Sequence, residues 1–180
     1  MDEYPLQQRI TSQDLVACVE ETMHVVTLRY FDHAGPFADA VRSAVGAALP
    51  EPLAARELVE GHLILAWRSP TETLCVTRNA ARLAELAARL ADAADGCLID
   101  LSGGVRIVRL TGLRIADLLC RLGGTASVPR AGEARRSRLA DVPVLALSVR
   151  AGETLLAVDR AYLPHLLAWI RETLLDFEST

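Results

Sequence analysis

The sequence predicts an α+β fold: two pseudo-repeated β-α-β-β-α units forming one compact domain with mixed or antiparallel sheets. Three observations predict it. Val16–Tyr30 and Gly96–Leu110 share a design about 80 residues apart, with Val19-Glu20 falling on Ile99-Asp100, Val25 on Val105 and Arg29 on Arg109. Glu72-Thr73-Leu74 returns as Glu153-Thr154-Leu155, each opening a short apolar run before a helix-like segment. Gly35-Pro36 and Gly112-Leu113 each divide a strand-like run from an amphipathic one, and Pro50 and Pro129 close those units. One such unit buries too little apolar surface to stand alone, so the copies are expected to share a core. The expected domain spans residues 1–180, with internal halves at about 16–95 and 96–177.

The elements follow in order. Residues 1–15 carry no clear period and read as an arm. Val25–Phe31 is rich in β-branched and aromatic residues and reads as a strand. Phe37–Ala48 is a helix with Phe37, Val41, Val45 and Leu49 on one stripe. Pro50 and Pro52 end it, because proline cannot continue the hydrogen-bond ladder. Glu51–Gly61 reads as connection. Leu63–Trp67 and Thr73–Thr77 are strands about a hairpin-length turn. Asn79 is suited to cap a helix over Ala80–Ala94, with Leu83, Leu86 and Leu90 on its dry side and the pair Glu85–Arg89 on its wet side. Gly96 reads as its stop.

In the second copy, Cys97–Leu101 and Val105–Leu110 are strands around Ser102-Gly103-Gly104. Leu113–Leu122 is a helix ended by Gly123-Gly124. Pro143–Val149 and Thr154–Val158 are the next strands. The last helix runs from about Arg160 to Phe177, with Leu163, Leu166, Leu167, Ile170 and Leu174 as its stripe. Pro164 fits there because first-turn amides lack helical partners.

Composition narrows function. Of 180 residues 51% are hydrophobic, which a GC-rich source or a surface covered by partner subunits would each explain. All 19 basic residues are arginine, which excludes lysine Schiff bases and a lysine phosphate loop. The net charge of −4 argues against a general nucleic-acid binder. The basic cluster Arg130, Arg135, Arg136 and Arg138 lacks interleaved aromatics and reads as a solvated loop or edge strand. Cys18, Cys75, Cys97 and Cys120 form no CxxC pair and read as reduced, mostly buried thiols. The N-terminus lacks an apolar leader and no run is long enough to span a membrane, so a cytoplasmic, soluble protein is expected.

Catalytic residues are not indicated. His24, His33, His62 and His165 have no metal-ligand spacing, so no metal is expected. Asp100 and Ser102 at a strand end are the best single candidates for binding a ligand or cofactor, against the plainer reading that they hydrogen-bond the following turn. Arg109 is a third candidate, able to hold a carboxylate. Its repeat-mate Arg29 suggests instead a shared ion-pair role. Trp67, Arg160, Tyr162 and Trp169 are candidates for a partner interface.

Several segments together resemble a family. Leu65-Ala66-Trp67-Arg68-Ser69-Pro70-Thr71-Glu72-Thr73-Leu74 resembles the tryptophan, glycine-proline and acidic-Glu-Trp-Leu signature of the gamma subunit of heterotetrameric sarcosine oxidase. Leu98–Ser102, Arg109-Leu110-Thr111-Gly112 and Ala116–Leu119 are similar to its second core segment. Ser137–Ala140 with Val142–Leu147, and Val158–Tyr162 with Trp169, are similar to its later strand and C-terminal helix. Ser69, Thr71, Thr73, Ser137 and Ala161 depart from the pattern. The resemblance implies the fold of the folate-binding aminomethyltransferase of the glycine cleavage system. It implies a non-catalytic accessory subunit of a complex that oxidatively demethylates sarcosine and passes the one-carbon unit to tetrahydrofolate. FAD, FMN, NAD and tetrahydrofolate would then belong to larger, flavin-bearing alpha and beta partners, and none to this chain. Two other readings stand beside it: a stand-alone folate-binding one-carbon protein, and a homo-oligomeric structural protein.

Overall fold

A computed structural model describes residues 9–12, 14–58 and 63–178. In chain order the first half holds β1 (Arg9–Thr11), β2 (Leu15–Glu20), β3 (His24–Tyr30), α1 (Pro36–Val45), β4 (Ala55–Leu58), β5 (Leu63–Ser69), β6 (Glu72–Thr77) and α2 (Ala80–Leu90). The second holds β7 (Gly96–Asp100), β8 (Val105–Gly112), α3 (Ile115–Gly123), β9 (Glu133–Leu139), β10 (Val142–Ser148), β11 (Glu153–Asp159) and α4 (Leu163–Glu178), with short 3-10 turns before β9 and α4.

Among the described residues eleven strands form two antiparallel sheets, ordered β1-β2-β8-β11-β10-β9 and β4-β5-β6-β3-β7. The repeated unit is therefore β-β-α-β-β-β-α, richer than the β-α-β-β-α pattern expected. The first strand of each unit is exchanged: β2 pairs with β8 of the second half, and β7 with β3 of the first. Short turns make both crossings. Val25 at the start of β3 and Ser102 in the β7–β8 turn are hydrogen-bonded: the Val25 amide donates to the Ser102 hydroxyl at 3.0 Å, and the Leu101 amide donates to the Val25 carbonyl at 2.8 Å.

Three apolar layers result. α3 and α4 pack Leu118, Leu119, Leu166 and Ile170 onto Val108, Leu110 and Leu156 of one sheet. α1 and α2 pack Phe37, Val41, Leu86 and Leu90 onto Val26, Leu28 and Leu65 of the other. Between the sheets lie Val25, Ile64, Leu74, Val76, Ile107, Leu145, Leu147 and Leu155. Each fully buried leucine or valine contributes about 1.5–3 kcal/mol of transfer free energy, so the strands that feed two layers carry much of the stability. The mates β4 and β9 meet at one side of the sandwich. There Ala55 donates to Gly132 O at 2.7 Å and Ala134 to Leu53 O at 2.8 Å, joining the sheets edge to edge.

Several expectations need correction. Glu51–Gly61 is not all connection, since Ala55–Leu58 is β4; the prolines before it masked a short edge strand, and its last residues lie outside the described ones. The expected arm over residues 1–15 includes β1, whose Ile10 is buried, while residues 1–8 and 13 lie outside the described residues. α2 stops at Leu90, four residues short of Ala94, and Gly96 opens β7 instead of stopping the helix. Asn79 caps α2 as expected, its side chain accepting from the Arg82 amide at 3.0 Å.

The sequence pairing of Val19-Glu20 with Ile99-Asp100 is one residue out of step. Arg29 faces Cys97 across β3–β7, and Arg109 faces Cys18 across β8–β2. Cys18 and Cys97 are thus structural mates, and so are Ala17 and Gly96, and Glu20 and Ile99. Both pairings look alike in the sequence because apolar residues fill either register.

Candidate functional site

The strand alternation places Arg29, Arg109, Glu20, Glu72 and Glu153 on the faces that look between the sheets, since residues opposite one another in a ladder share a face. Two charged groupings follow. In the first half, Arg29 Nε lies 3.2 Å from Glu72, which also meets Arg68 at 3.6 Å. In the second, Arg109 bridges two carboxylates, Glu20 at 2.5 Å and Glu153 at 2.7 Å. Arg78 closes on Glu20 at 2.5 Å, and Arg150 reaches Glu57 at 2.8 Å and Glu153 at 3.8 Å. Alternating charges therefore run Arg78–Glu20–Arg109–Glu153–Arg150–Glu57, leaving one sheet, crossing the other and returning.

The inner members of that chain are shielded, with Glu20, Arg109 and Glu153 side chains 12%, 19% and 14% exposed. Burial would raise the Glu20 carboxyl, but the guanidinium groups of Arg78 and Arg109 outweigh it and hold the acid below its ordinary value. Burial likewise works against the Arg109 charge, and Glu20 and Glu153 together more than restore it. Ile99 stands where Glu20 has its mate, so Arg29 has one carboxylate strand-neighbour fewer and is 57% exposed.

Asp100 and Ser102 lie in the crossing turn from β7 to β8. Asp100 Oδ1 accepts the Ser102 amide at 2.8 Å, and the Ser102 hydroxyl and amide together hold the Asp100 carboxyl below its ordinary value. The Ser102 hydroxyl is engaged with Val25. Both side chains thus staple the crossing, and Arg109 sits apart from them in the charged chain. The structure does not gather the three into one site.

A cleft of about 290 Å³ opens at the edge of the inter-sheet layer. Its floor is apolar (Leu74, Val105, Leu145, Ala157), and Arg68, Arg136, Asp159 and Tyr162 stand around it. Arg68 and Arg136 come from opposite sheets. Arg136 lies opposite Leu145 on the edge strand β9, with no acid partner among the described residues. The Asp159 carboxylate accepts the Ala161 amide at 2.9 Å. Two guanidinium groups and a phenol over an apolar floor suit a small anion with an apolar body. The arginine-rich stretch was readable as an edge strand, but nothing in its spacing showed that only Arg136 turns toward a cleft.

The interface candidates divide between two faces. Tyr162 and Trp169 are 49% and 50% exposed at the start and middle of the C-terminal helical segment, and Trp169 meets the His165 ring edge-on at 6.5 Å. Arg160 is exposed beside them, its amide donating to Gly104 O at 2.7 Å. Trp67 shares the other sheet's helix-covered side with Leu63 and Leu65, and is half-buried. His33 and His165 rings approach the carbonyls of Pro50 and Ala140 at 3.1 and 3.2 Å, and His62 lies outside the described residues. Among the described residues no group of three or more His, Cys, Asp or Glu side chains could hold a metal ion. No described helix is long and apolar enough to cross a membrane.

No protein-family model and no curated relative matches the sequence. Solved structures do match. A chain of heterotetrameric sarcosine oxidase from Corynebacterium sp. U-96 superposes with a TM-score of 0.81 at 20% identity, over 96% of this chain and 90% of that one. The glycine cleavage system aminomethyltransferase T from Bartonella henselae superposes with a TM-score of 0.61 at 19% identity, over 84% of this chain. This chain spans 44% of that enzyme's length. The protein therefore has a sarcosine oxidase gamma-like fold, shared with part of an aminomethyltransferase, and the low identities establish the fold alone.

Proposed function

We propose that the chain is a non-catalytic accessory subunit of a sarcosine oxidase-like complex, which oxidatively demethylates sarcosine and transfers the one-carbon unit to tetrahydrofolate. One observation carries the reading: the match to a chain of such a heterotetramer extends over nearly the whole of both chains. The charged chain supports it, because its acids are occupied by arginines in a manner suited to holding two sheets together. Exposed Tyr162, Trp169 and Leu175 on one helical segment support a surface that a partner covers. On this reading flavins, nicotinamide and folate are held by the larger alpha and beta partners, this chain holds none, and the assembly works in the cytoplasm.

The test is isolation of the tagged chain from its native cells. Two larger flavin-bearing chains and sarcosine-dependent peroxide formation are expected, with Trp169→Ala lowering recovery of both chains. Recovery of the tagged chain alone, or with flavin-free partners, overturns the reading.

A second reading, a folate-binding one-carbon protein, is favoured by the arginine-rimmed cleft, since folates carry carboxylates on a flat apolar body. Calorimetric titration with tetrahydrofolate should give heat that Arg136→Ala removes. No heat at high protein concentration ends that reading.

A further inference from the structure

The two halves differ in how their exchanged strands end. The outer edge of β2 is covered by β1, which pairs Arg9 with Cys18, Ile10 with Ala17 and Thr11 with Val16. The outer edge of β7, its structural mate, is the open end of its sheet among the described residues. The hydrogen-bond pattern shows which groups that edge presents. Phe31 donates to Asp95 O at 3.2 Å and Leu101 to Val25 O at 2.8 Å, so the odd residues of this ladder turn their amides inward to β3. Gly96, Leu98 and Asp100 turn theirs outward.

The covered edge tells what the open one accepts. On β2 the covering strand sets Ile10, which is buried, opposite Ala17. The mate of Ala17 is Gly96. Beside Gly96 the surface has a hollow of about 450 Å³, bordered by Tyr30, Phe31 and Cys97 and by the polar Arg29, Thr71 and Asp95, and Phe31 is 86% exposed beside it. The edge strand Gly96-Cys97-Leu98-Ile99 carries no lysine, no proline and no charge before Asp100, the devices that normally keep an edge from pairing.

We propose that β7 pairs antiparallel with β7 of a second copy of this chain, about a two-fold axis at Cys97. In that register Leu98 of each copy lies opposite Gly96 of the other, in the place that Ile10 takes opposite Ala17. The outward amides of Gly96 and Leu98 then bond reciprocally, and the two Cys97 side chains face each other. A two-fold contact of this kind is self-complementary, as a closed dimer requires. The pairing stands independently of the accessory-subunit reading, and it joins the two five-stranded sheets into one.

The experiment uses the full chain in a Cys18→Ser/Cys120→Ser background. A short bis-maleimide should join two copies through Cys97, and Cys97→Ser should abolish the cross-link. Sedimentation velocity should show reversible dimerisation that Cys97→Glu weakens at least tenfold. That variant sets two carboxylates against each other across the axis while placing each beside Arg29 of its own chain, so the monomer keeps its fold, as circular dichroism would record. A monomer throughout the concentration range overturns the proposal. So does a dimer that Cys97→Glu leaves unchanged.

Discussion

Replacing Arg109 by methionine tests whether the charged chain holds the sheets together. The substitution keeps the apolar stem and removes the guanidinium shared by Glu20 and Glu153, two carboxylates little exposed to water. Breaking a fully buried ion pair costs about 3–5 kcal/mol. Here Arg78 remains on Glu20 and Arg150 remains 3.8 Å from Glu153, so the expected loss is smaller, about 2 kcal/mol at neutral pH. The pH dependence is the sharper readout. In the native chain the Glu20 value is depressed below 4.5, so its contribution is present at neutral pH and lost as pH falls through the folded value. Without Arg109 the Glu20 carboxyl keeps only Arg78 and becomes easier to protonate, and protonation removes its uncompensated charge. Urea unfolding of both proteins should therefore show the gap shrinking to less than half between about pH 7 and pH 4. An equal gap at both pH values would refute the electrostatic account and leave only lost packing.

Thr27→Val should raise stability by up to about 1 kcal/mol, since the buried Thr27 hydroxyl has no hydrogen-bond partner among the described residues and the two side chains share a shape; a lower urea midpoint would count against this. Gly96→Ala should cost at least about 2 kcal/mol, because an added Cβ would lie 2.3 Å from the Phe37 ring and 2.6 Å from Arg29 O. A thermal melt reads it, and an unchanged Tm contradicts the close packing. In dilute reduced protein at about pH 8, a thiol reagent should label Cys97 rapidly and leave Cys75 unmodified until unfolding, because burial pushes the Cys75 thiol up to about 12. Asn79→Ala should cost about 1 kcal/mol through loss of the α2 cap, measured by urea unfolding.

The sequence was most legible where periodicity and duplication coincide. The stripe of α4, the hairpin β5–β6 and the strands β8, β10 and β11 all carry strong alternation or a 3.6-residue period, and each lies where it was expected; α1 instead stops at Val45, where left-handed Gly46 caps it, so its stripe does not reach Leu49 and Pro50 does not end it. β1 and β4 were hidden because a three- or four-residue edge strand has too few positions to show a period. Exchange of β2 and β7 between the halves left no mark in composition, since an apolar strand suits either sheet. The pairing of Arg29 with Glu72 and Arg109 with Glu153 was foreshadowed by repetition of both residues. The cleft was not, because it depends on which arginines of β9 face inward, and that is settled only by its pairing with β10.

The exchange of first strands has a consequence for synthesis. β2 is made early, yet its ladder partner β8 begins at Val105 and the neighbour of β8 ends at Asp159. Until most of the chain has left the ribosome, β2 has only the three-residue β1 to pair with, and its other edge must wait for β8. Contacts so distant along the chain also lower the folding rate. A fragment cut near residue 95 would emerge as an incomplete sheet, and only its complementary piece could supply the absent ribbon.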